Sequence, residues 1–386
     1  MKKTGFLSHS FLLKVLYKLR GGVITKWPKG ATKGRVLFSH DITPFLNPNH
    51  PLGAHANYWT ATVMVQAFLD RGYIVDIIDC KNPTFIPKHS YTYFVDLELN
   101  LDKRVPHLNS DCIKILHIVS AHWLFQNTAE YERCLAVQNR RGVTVFPQRL
   151  MNQVLSIESA DCATMIGNKF TSDTYAFAGK KIYSTPLPAG YEYPFPEEKD
   201  INAARKNFVW FGGAGAIHKG LDLVLEAFAE MPEYHLTVFG KSTQDPDVLK
   251  AYGRELKEMK NLTVLTYIDF EGPGFEKILQ ETIAIVYPSC SEGTSGSVVH
   301  SMHAGIIPIV NYESGVNVED FGILLPSTTI ENIMTAVRTV ATLPETELKR
   351  RAKAAWEYAR QNYSRENFTK KYGIFVDELE RGAHRK

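Results

Sequence analysis

Short apolar segments of strand length alternate with helical patterns along most of this chain, and this alternation limits the folds it can adopt. In the first half, strand candidates lie at residues 35–40, 74–79, 113–119, 144–147 and 163–167, and a helix candidate over 57–72 ends at Gly72. In the second half they lie at 207–212, 235–240, 262–268 and 284–289, with an amphipathic helix over 221–231. Strand–helix–strand units at this spacing predict parallel sheets, so we expect an α/β protein.

The length of the chain and one break in its pattern predict two domains. A chain of 386 residues exceeds one ordinary core. Residues 185–200 hold four prolines and a charge cluster, which is typical of a linker. We therefore expect two Rossmann-like domains with parallel sheets facing a cleft. The predicted boundaries are a basic amphipathic N-terminal segment (1–34), a first domain (35–188), a linker (189–206), a second domain (207–362) and a helical tail (363–386) that packs back toward the first domain.

The charge distribution limits the kinds of partner that the chain can bind. The net charge of +3 does not suggest a nucleic-acid binder. Nine basic residues precede Asp41, the first carboxylate, and the apolar residues among them recur at helical spacing. This stretch is too short and too charged to span a bilayer, and no cleavage site follows it. Residues 1–30 could bind an anionic membrane surface, or form a helix packed on the body of the protein.

The five cysteines are scattered, and none is paired with another at metal-ligand spacing. An odd number of scattered cysteines is easier to accommodate in a reducing compartment. We therefore expect a cytoplasmic protein, either free or peripheral on the inner face of the plasma membrane.

A glycine-rich segment, Trp210 to Gly220, follows a predicted strand and opens a helix. Its glycines, Gly212, Gly213 and Gly215, would let backbone N–H groups approach an anion, and Lys219 adds a positive charge at the helix start. The spacing matches neither a Walker A motif nor GxGxxG. A phosphate clamp is the preferred interpretation. The alternative is an ordinary glycine-rich turn with a surface lysine.

A second segment, Pro288 to Val310, predicts a strand, a polar loop, a short helix and another buried strand. Glu292 lies at the mouth of the loop, and His300 would lie one turn inside the helix. The loop offers N–H groups and hydroxyls suited to sugar hydroxyls and phosphate oxygens, from Gly293, Thr294, Ser295, Gly296 and Ser297. Alternatively, Glu292 caps the helix and His300 is a satisfied buried histidine.

Together the two segments resemble the C-terminal domain of GT-B glycosyltransferases, in particular the retaining nucleotide-sugar family numbered four (glycosyl transferases group 1). The resemblance rests on the glycine-rich segment ending in Lys219-Gly220, on Glu292, on the small-residue helix ending at Gly305 and on the strand from Pro308 to Val310. It covers about the last 180 residues well and the first half in outline. It departs from the family at His300, where a second glutamate is expected, and at Ala214, where an arginine is usual.

The resemblance implies a hexosyltransferase that moves a sugar from a nucleoside diphosphate sugar to an acceptor hydroxyl with retention. No cofactor or obligatory metal is expected. The acceptor would be a glycan or glycolipid in cell-surface polysaccharide or glycolipid assembly. Two alternatives remain open: an epimerase-like GT-B enzyme that acts on sugar nucleotides, and a non-catalytic member that binds them.

The resemblance also assigns roles to individual residues. Lys219 and the glycine loop would stabilise the diphosphate, Glu292 would orient the donor sugar, and His300 would contact the ribose or diphosphate. In the first half, Gly53 would let the backbone approach the donor or acceptor, unless it marks an ordinary turn. His122, just after a strand, fits the position of a donor-contacting histidine in the catalytic site, whereas His117 fits the core.

Overall fold

The computed structural model describes residue 17, residues 21–46 and residues 56–383. Both halves contain a sheet covered by helices on its two faces. The first sheet has seven strands in the order β1-β3-β2-β4-β5-β6-β7, all paired in parallel except β1 with β3. Its strands are β1 (Ile24–Lys26), β2 (Gly34–His40), β3 (Tyr73–Asp79), β4 (Tyr93–Asp96), β5 (Ile113–Ile118), β6 (Cys162–Ile166) and β7 (Lys181–Thr185).

The second sheet has six strands in the order β10-β9-β8-β11-β12-β13, all parallel. They are β8 (Asn207–Phe211), β9 (His235–Phe239), β10 (Leu262–Leu265), β11 (Ala284–Tyr287), β12 (Ile307–Val310) and β13 (Ile323–Leu324). Every residue of β11 and β12 is buried because helices cover both faces, and such strands read as continuous apolar runs. The predicted α/β class with two parallel sheets is therefore confirmed.

The helices connect the strands and cover the sheets. Those of the first half are α1 (Thr43–Leu46), α2 (Ala56–Leu69), α3 (Leu101–Arg104), α4 (Trp123–Arg141), α5 (Ser156–Ser159) and α6 (Lys169–Asp173). Those that follow are α7 (Ile201–Ala204), α8 (Leu221–Ala229), α9 (Pro246–Glu258), α10 (Pro273–Glu281), α11 (Gly296–His303), α12 (Ile330–Thr342), α13 (Glu345–Asn362) and α14 (Arg365–Ala383).

One predicted strand, residues 144–147, is wrong. This segment is extended but pairs with no strand. The backbone N–H of Phe146 instead donates to Asp247 of α9, 2.8 Å away, and Val145 packs into the core of the second domain. The segment therefore lies outside the first sheet and contacts the second domain.

Helix α4 joins the two domains. Its Cys134 and Val137 belong to the hydrophobic core of the second domain. Arg133 of α4 forms a buried ion pair with Asp222 of α8, with 3.1 Å between the guanidinium and a carboxylate oxygen. The helix thus belongs to the first domain by topology and packs into the second.

The C-terminal helix crosses in the opposite direction. Helix α14 packs on α2, and its apolar residues Phe368, Tyr372 and Val376 belong to the core of the first domain. Arg71, just after α2, pairs with Asp377 at 2.7 Å. Helix α14 therefore completes the first domain.

The N-terminal segment predicted over residues 1–34 lies mostly outside the described residues. Within the described part, residues 24–26 form β1 of the first sheet, so the separate segment ends earlier than predicted. Tyr17 is buried, and its hydroxyl accepts the N–H of Asp79 at 3.0 Å. Among the described residues, no helix is long and apolar enough to cross a membrane.

Candidate functional site at the facing ends of the two sheets

A cavity of about 740 Å³ lies where the carboxyl ends of the two sheets face each other. From the first domain, Val119 and Ser120 follow β5 at its edge. From the second, Gly213 follows β8 and Glu292 lies in the loop after β11. The carboxyl edge of a parallel sheet is where open α/β folds bind ligands, so this cavity is the candidate site.

The turn from β8 into α8 requires glycine at Gly220. Its φ is +82°, and an added Cβ would lie 2.3 Å from the carbonyl oxygen of Pro288. The Lys219 side chain runs beneath Gly212, where an added Cβ would lie 2.9 Å from Lys219 Cδ. By contrast, a Cβ on Gly213 would meet nothing within 4 Å, which leaves open space beside the loop. The loop therefore has the shape that an anion-binding turn needs.

Lys219 is not the surface lysine that one interpretation expected. Only 8% of the residue is exposed, and its ammonium forms an ion pair and hydrogen bond with the carboxylate of Glu292, which is also 8% exposed. The aliphatic part of the side chain packs under Gly212, and the ammonium beyond it reaches Glu292. A surface turn therefore does not describe this segment.

The Lys219–Glu292 pair keeps both groups charged. Burial alone would lower the pKa of Lys219, but the Glu292 carboxylate raises that pKa above its usual value. Burial alone would raise the pKa of Glu292, but the Lys219 ammonium lowers it. The cap of α11 is instead Ser295, whose hydroxyl accepts the N–H of Val298. The alternative that Glu292 caps the helix is therefore wrong.

Gly293 brings the two domains together. An added Cβ would lie 2.2 Å from the carbonyl oxygen of Val119 and 2.7 Å from that of Ile166, at the ends of β5 and β6. Gly293 does not line the cavity and so is better described as a contact between domains. Among the other predicted donor-binding residues, those that line the cavity are Gly212, Gly213, Thr294, Gly296, Ser297 and His300, and those behind the lining are Gly215 and Ser295.

His300 lines the cavity and is also satisfied by a neighbour. Its Nε2 lies 2.6 Å from the hydroxyl of Tyr193, which donates to the carbonyl of Phe270 at 2.9 Å. Because a phenol carries one hydrogen, His300 Nε2–H is the donor to Tyr193. Burial lowers the pKa of His300 to about 3, so the ring is neutral. His300 is thus satisfied by Tyr193 and keeps Nδ1 as an acceptor at the cavity, and its contact with the donor stays a prediction.

His122 does not join this group. It precedes α4 and caps it, with Nδ1 3.4 Å from the N–H of Leu124. Its ring packs against Tyr175 and Phe177 with centroids 5.3 and 5.1 Å apart, and it is not among the residues lining the cavity. The ring thus lies outside the cavity lining, unlike its predicted placement, and the catalytic role of His122 stays a prediction. His117 is buried and bonded to Thr164 as expected, and Gly53 lies outside the described residues.

Two lining cations were missed from the sequence, Arg149 and Lys241. Arg149 follows the segment predicted as a strand, and its side chain lies against Gly215. It therefore brings a positive charge from the first domain next to Ala214, the position where the resemblance expects an arginine. No local signal marks this residue, since only the fold brings positions 149 and 215 together.

Glu98 was also missed, and it supports the lining from behind. It is buried with φ +50°, rare for a non-glycine residue. Its carboxylate accepts the N–H of Val119 at 3.2 Å, the hydroxyl of Ser120 at 3.3 Å and that of Tyr175. Burial raises its pKa to about 7, against the opposing effect of these hydrogen bonds. Glu98 thus fixes the loop after β5 at the cavity.

The raised pKa of Glu98 predicts a pH dependence of stability. When a group has a higher pKa in the folded state, its protonation stabilises the fold. This contribution to the free energy of unfolding is complete below the unfolded-state pKa and is lost as the pH rises through the folded-state pKa. We expect the advantage of wild type over Glu98→Gln, which imitates the protonated form, to fall by up to about 3 kcal/mol from pH 4.5 to above pH 7. Urea unfolding of both proteins across this range measures it. Parallel stability curves would contradict the assignment.

The described residues contain no group of three or more His, Cys, Asp and Glu side chains placed to hold a metal ion. The expectation of catalysis without an obligatory metal stays a prediction.

Comparison with known proteins finds a family model that matches most of the second domain. Residues 205–342 match the family Glycosyl transferases group 1. The chain is also 26% identical over 215 residues to a Bacillus subtilis (strain 168) protein named uncharacterized glycosyltransferase YqgM. That match spans 54% of this chain and little more than half, 57%, of the relative. These matches confirm the predicted resemblance to this family.

Solved structures confirm the GT-B fold. Anabaena HepE, solved in complex with UDP-glucose, gives a TM-score of 0.57 at 10% identity, covering 89% of this chain and 100% of its own. Sucrose-phosphate synthase from Thermosynechococcus elongatus gives 0.57 at 15% identity, covering 90% and 99%. WaaG, a glycosyltransferase involved in lipopolysaccharide biosynthesis, gives 0.51 at 14% identity, covering 88% and 99%. At these identities the likeness concerns the fold.

Proposed function

We propose that this chain, whose residues 205–342 match the group 1 glycosyltransferases, transfers a sugar from a nucleoside diphosphate sugar to an acceptor hydroxyl with retention of configuration. The observation that carries the proposal is the buried Lys219–Glu292 pair beneath an open glycine loop, at a cavity shared by both domains. HepE, a protein of the same fold, is recorded with UDP-glucose. Retention rests on the family resemblance.

The glycine loop and Lys219 would act on the leaving group. Negative charge builds on the diphosphate as the bond to the sugar breaks, and fixed N–H dipoles and cations stabilise it best where water is excluded. The open space at Gly213 admits a phosphate. The Lys219 ammonium lies behind the cavity lining, paired to Glu292, and would act on the diphosphate through its positive charge.

Glu292 and His300 would orient the donor. Glu292 lines the cavity as an anion held by Lys219, so its second oxygen can accept a hydrogen bond from a sugar hydroxyl. His300 presents Nδ1 as a neutral acceptor, suited to a ribose hydroxyl. These groups position the donor and require no proton transfer of their own.

The test is turnover. Purified protein would be screened by thermal shift against UDP-, GDP-, ADP- and dTDP-sugars, since a ligand of the native state raises apparent stability. Donors that bind would be incubated with glycan and glycolipid acceptors, and proton NMR of the first product would give the anomeric configuration. Transfer with retention is the expected result. Binding without turnover would favour a non-catalytic sugar-nucleotide-binding protein, and an isomerised sugar released without acceptor an epimerase-like enzyme.

A cytoplasmic location on an anionic membrane surface belongs to the same proposal. It is supported by the seven basic residues among residues 1–30, which contain no carboxylate. An acceptor in glycolipid or polysaccharide assembly would be found at such a surface.

Deleting residues 1–16 tests the membrane contact and spares the buried Tyr17 and β1. The deletion removes Lys2, Lys3 and Lys14, and at about 1 kcal/mol per charge we expect binding to anionic vesicles to weaken by about 3 kcal/mol. Vesicle co-sedimentation at low and high salt measures this, with neutral vesicles as the control. Full-length protein that ignores anionic vesicles at low salt would show that the segment does not bind them.

A further inference from the structure

The charges that line the cavity differ from those that the sequence motifs indicate. Among the described lining residues, the lysine and arginine side chains are Lys241 and Arg149, and the carboxylate is Glu292. Lys219 lies behind this lining with its ammonium paired to Glu292. Much of the positive charge that faces a ligand is therefore supplied by side chains outside the glycine-rich motif.

The main chain at Arg149 is held in place by α4. Its N–H donates to both carboxylate oxygens of Glu130, at 2.9 and 3.0 Å, and its carbonyl accepts from the amide of Gln126 at 2.6 Å. Glu130 and Gln126 are both buried. The neighbouring Gln148 accepts the N–H of Gly215 at 3.2 Å. Arg149 is thus presented from a rigid loop that is bonded to the glycine segment.

The Arg149 side chain itself remains available. Its Cγ and Cδ lie against Gly215, where an added Cβ would be 2.5 and 3.0 Å from them. The residue is exposed, and its guanidinium makes no hydrogen bond or ion pair to any described residue. It is still close enough to Lys219 and Glu292 to act electrostatically on both. An arginine so positioned lacks a protein partner for its planar set of donors, which matches phosphate oxygens.

We infer that Arg149 binds the diphosphate of the nucleotide-sugar donor, so that this group is held between a cation of the first domain and the glycine loop of the second. The inference rests on the proposed function and adds a residue outside the matched region 205–342. The position beside Gly215 favours the donor diphosphate over a phosphate carried by an acceptor. The same chemistry would serve either source, so the experiment separates them.

The experiment measures binding, which requires no turnover. Calorimetry would compare wild type, Arg149→Gln and Arg149→Lys with UDP, GDP, ADP, dTDP, their nucleosides, inorganic pyrophosphate and glycerol 3-phosphate. For the nucleotide that wild type binds, we expect Arg149→Gln to weaken affinity by about tenfold or more and to leave the nucleoside unchanged. Pyrophosphate affinity should fall in parallel, and Arg149→Lys should lose less.

Arg254→Gln is the matched control, because Arg254 is an exposed arginine of α9 that does not line the cavity. The control should bind like wild type, and all variants should melt like wild type, since the Arg149 side chain makes no hydrogen bond to the described protein. Unchanged nucleotide and pyrophosphate affinity in Arg149→Gln would overturn the inference. So would a loss confined to glycerol 3-phosphate, an equal loss for nucleoside and nucleotide, or a wild type that binds neither nucleotide nor pyrophosphate. Failure of the proposed function is a separate result, namely bound donor without transfer.

Discussion

Lys219→Ala is expected to lower the free energy of unfolding by about 3–5 kcal/mol and to abolish most sugar transfer. The reason is that Glu292 is 8% exposed and would remain as a buried charge without its partner. Guanidinium unfolding at neutral pH measures the stability. Glycosyl transfer assayed at a temperature where the variant is folded measures the activity.

The double variant Lys219→Met/Glu292→Gln is the control, because it removes both charges. We expect it to recover most of the lost stability but none of the activity. A double-mutant cycle with the single variants Lys219→Met and Glu292→Gln gives the coupling energy. The pH dependence has a definite sign. Without Lys219 the buried Glu292 is protonated more readily, so the stability gap between wild type and Lys219→Ala should narrow as the pH falls from 7 to 5. A single variant as stable as wild type would show that the pair is solvated.

Gly293→Ala is expected to lower the free energy of unfolding by about 1–3 kcal/mol and to weaken donor binding about tenfold or more. The new methyl group would lie 2.2 Å from the carbonyl oxygen of Val119 and 2.7 Å from that of Ile166. Both are backbone atoms at the ends of sheet strands, which cannot move aside singly. The loop carrying Glu292 must therefore shift away from the first domain. Chemical unfolding and nucleotide calorimetry measure the two effects.

Gly296→Ala provides the comparison for this substitution. Gly296 is in the same loop region and begins α11, and an added Cβ would meet only Leu187, at an ordinary 3.8 Å. Its stability should stay close to that of wild type. Equal free energies of unfolding for Gly293→Ala and Gly296→Ala would mean that the backbone around Gly293 accommodates a methyl group without loss of stability.

Much of the second domain could be predicted from the sequence because its determinants are local. Its central strands β8, β11 and β12 are almost continuous buried runs. A loop that enters a helix after a parallel strand lies at the carboxyl edge of the sheet. The position of Glu292 at the cavity follows from that rule. The burial of Lys219 does not, since it depends on how the stem packs under Gly212, and a lysine at a helix start is ordinarily solvated.

The first half was harder to predict because its determinants are distant in sequence. Strand β4 was not predicted from the sequence. The role of Glu98, which follows it, depends on hydrogen bonds to Val119 and Tyr175, which are distant in sequence. The segment 144–147 has strand-like composition, but its partner is a helix of the other domain. His122 was predicted to lie at the cavity because it follows a strand. In the structure its side chain instead caps α4 by accepting the N–H of Leu124.

The crossing of α14 to the first domain has a consequence for how the protein is made. Trp59 and Phe68 of α2 pack edge-to-face against Phe368 and Tyr372 of α14. During synthesis the first domain leaves the ribosome without this cover, and an uncovered apolar helix face is a site for chaperones and for aggregation. A stop codon near residue 363 would therefore destabilise the half of the molecule that was translated first. The two halves, expressed as separate chains, should be recovered only when both are produced in the same cell.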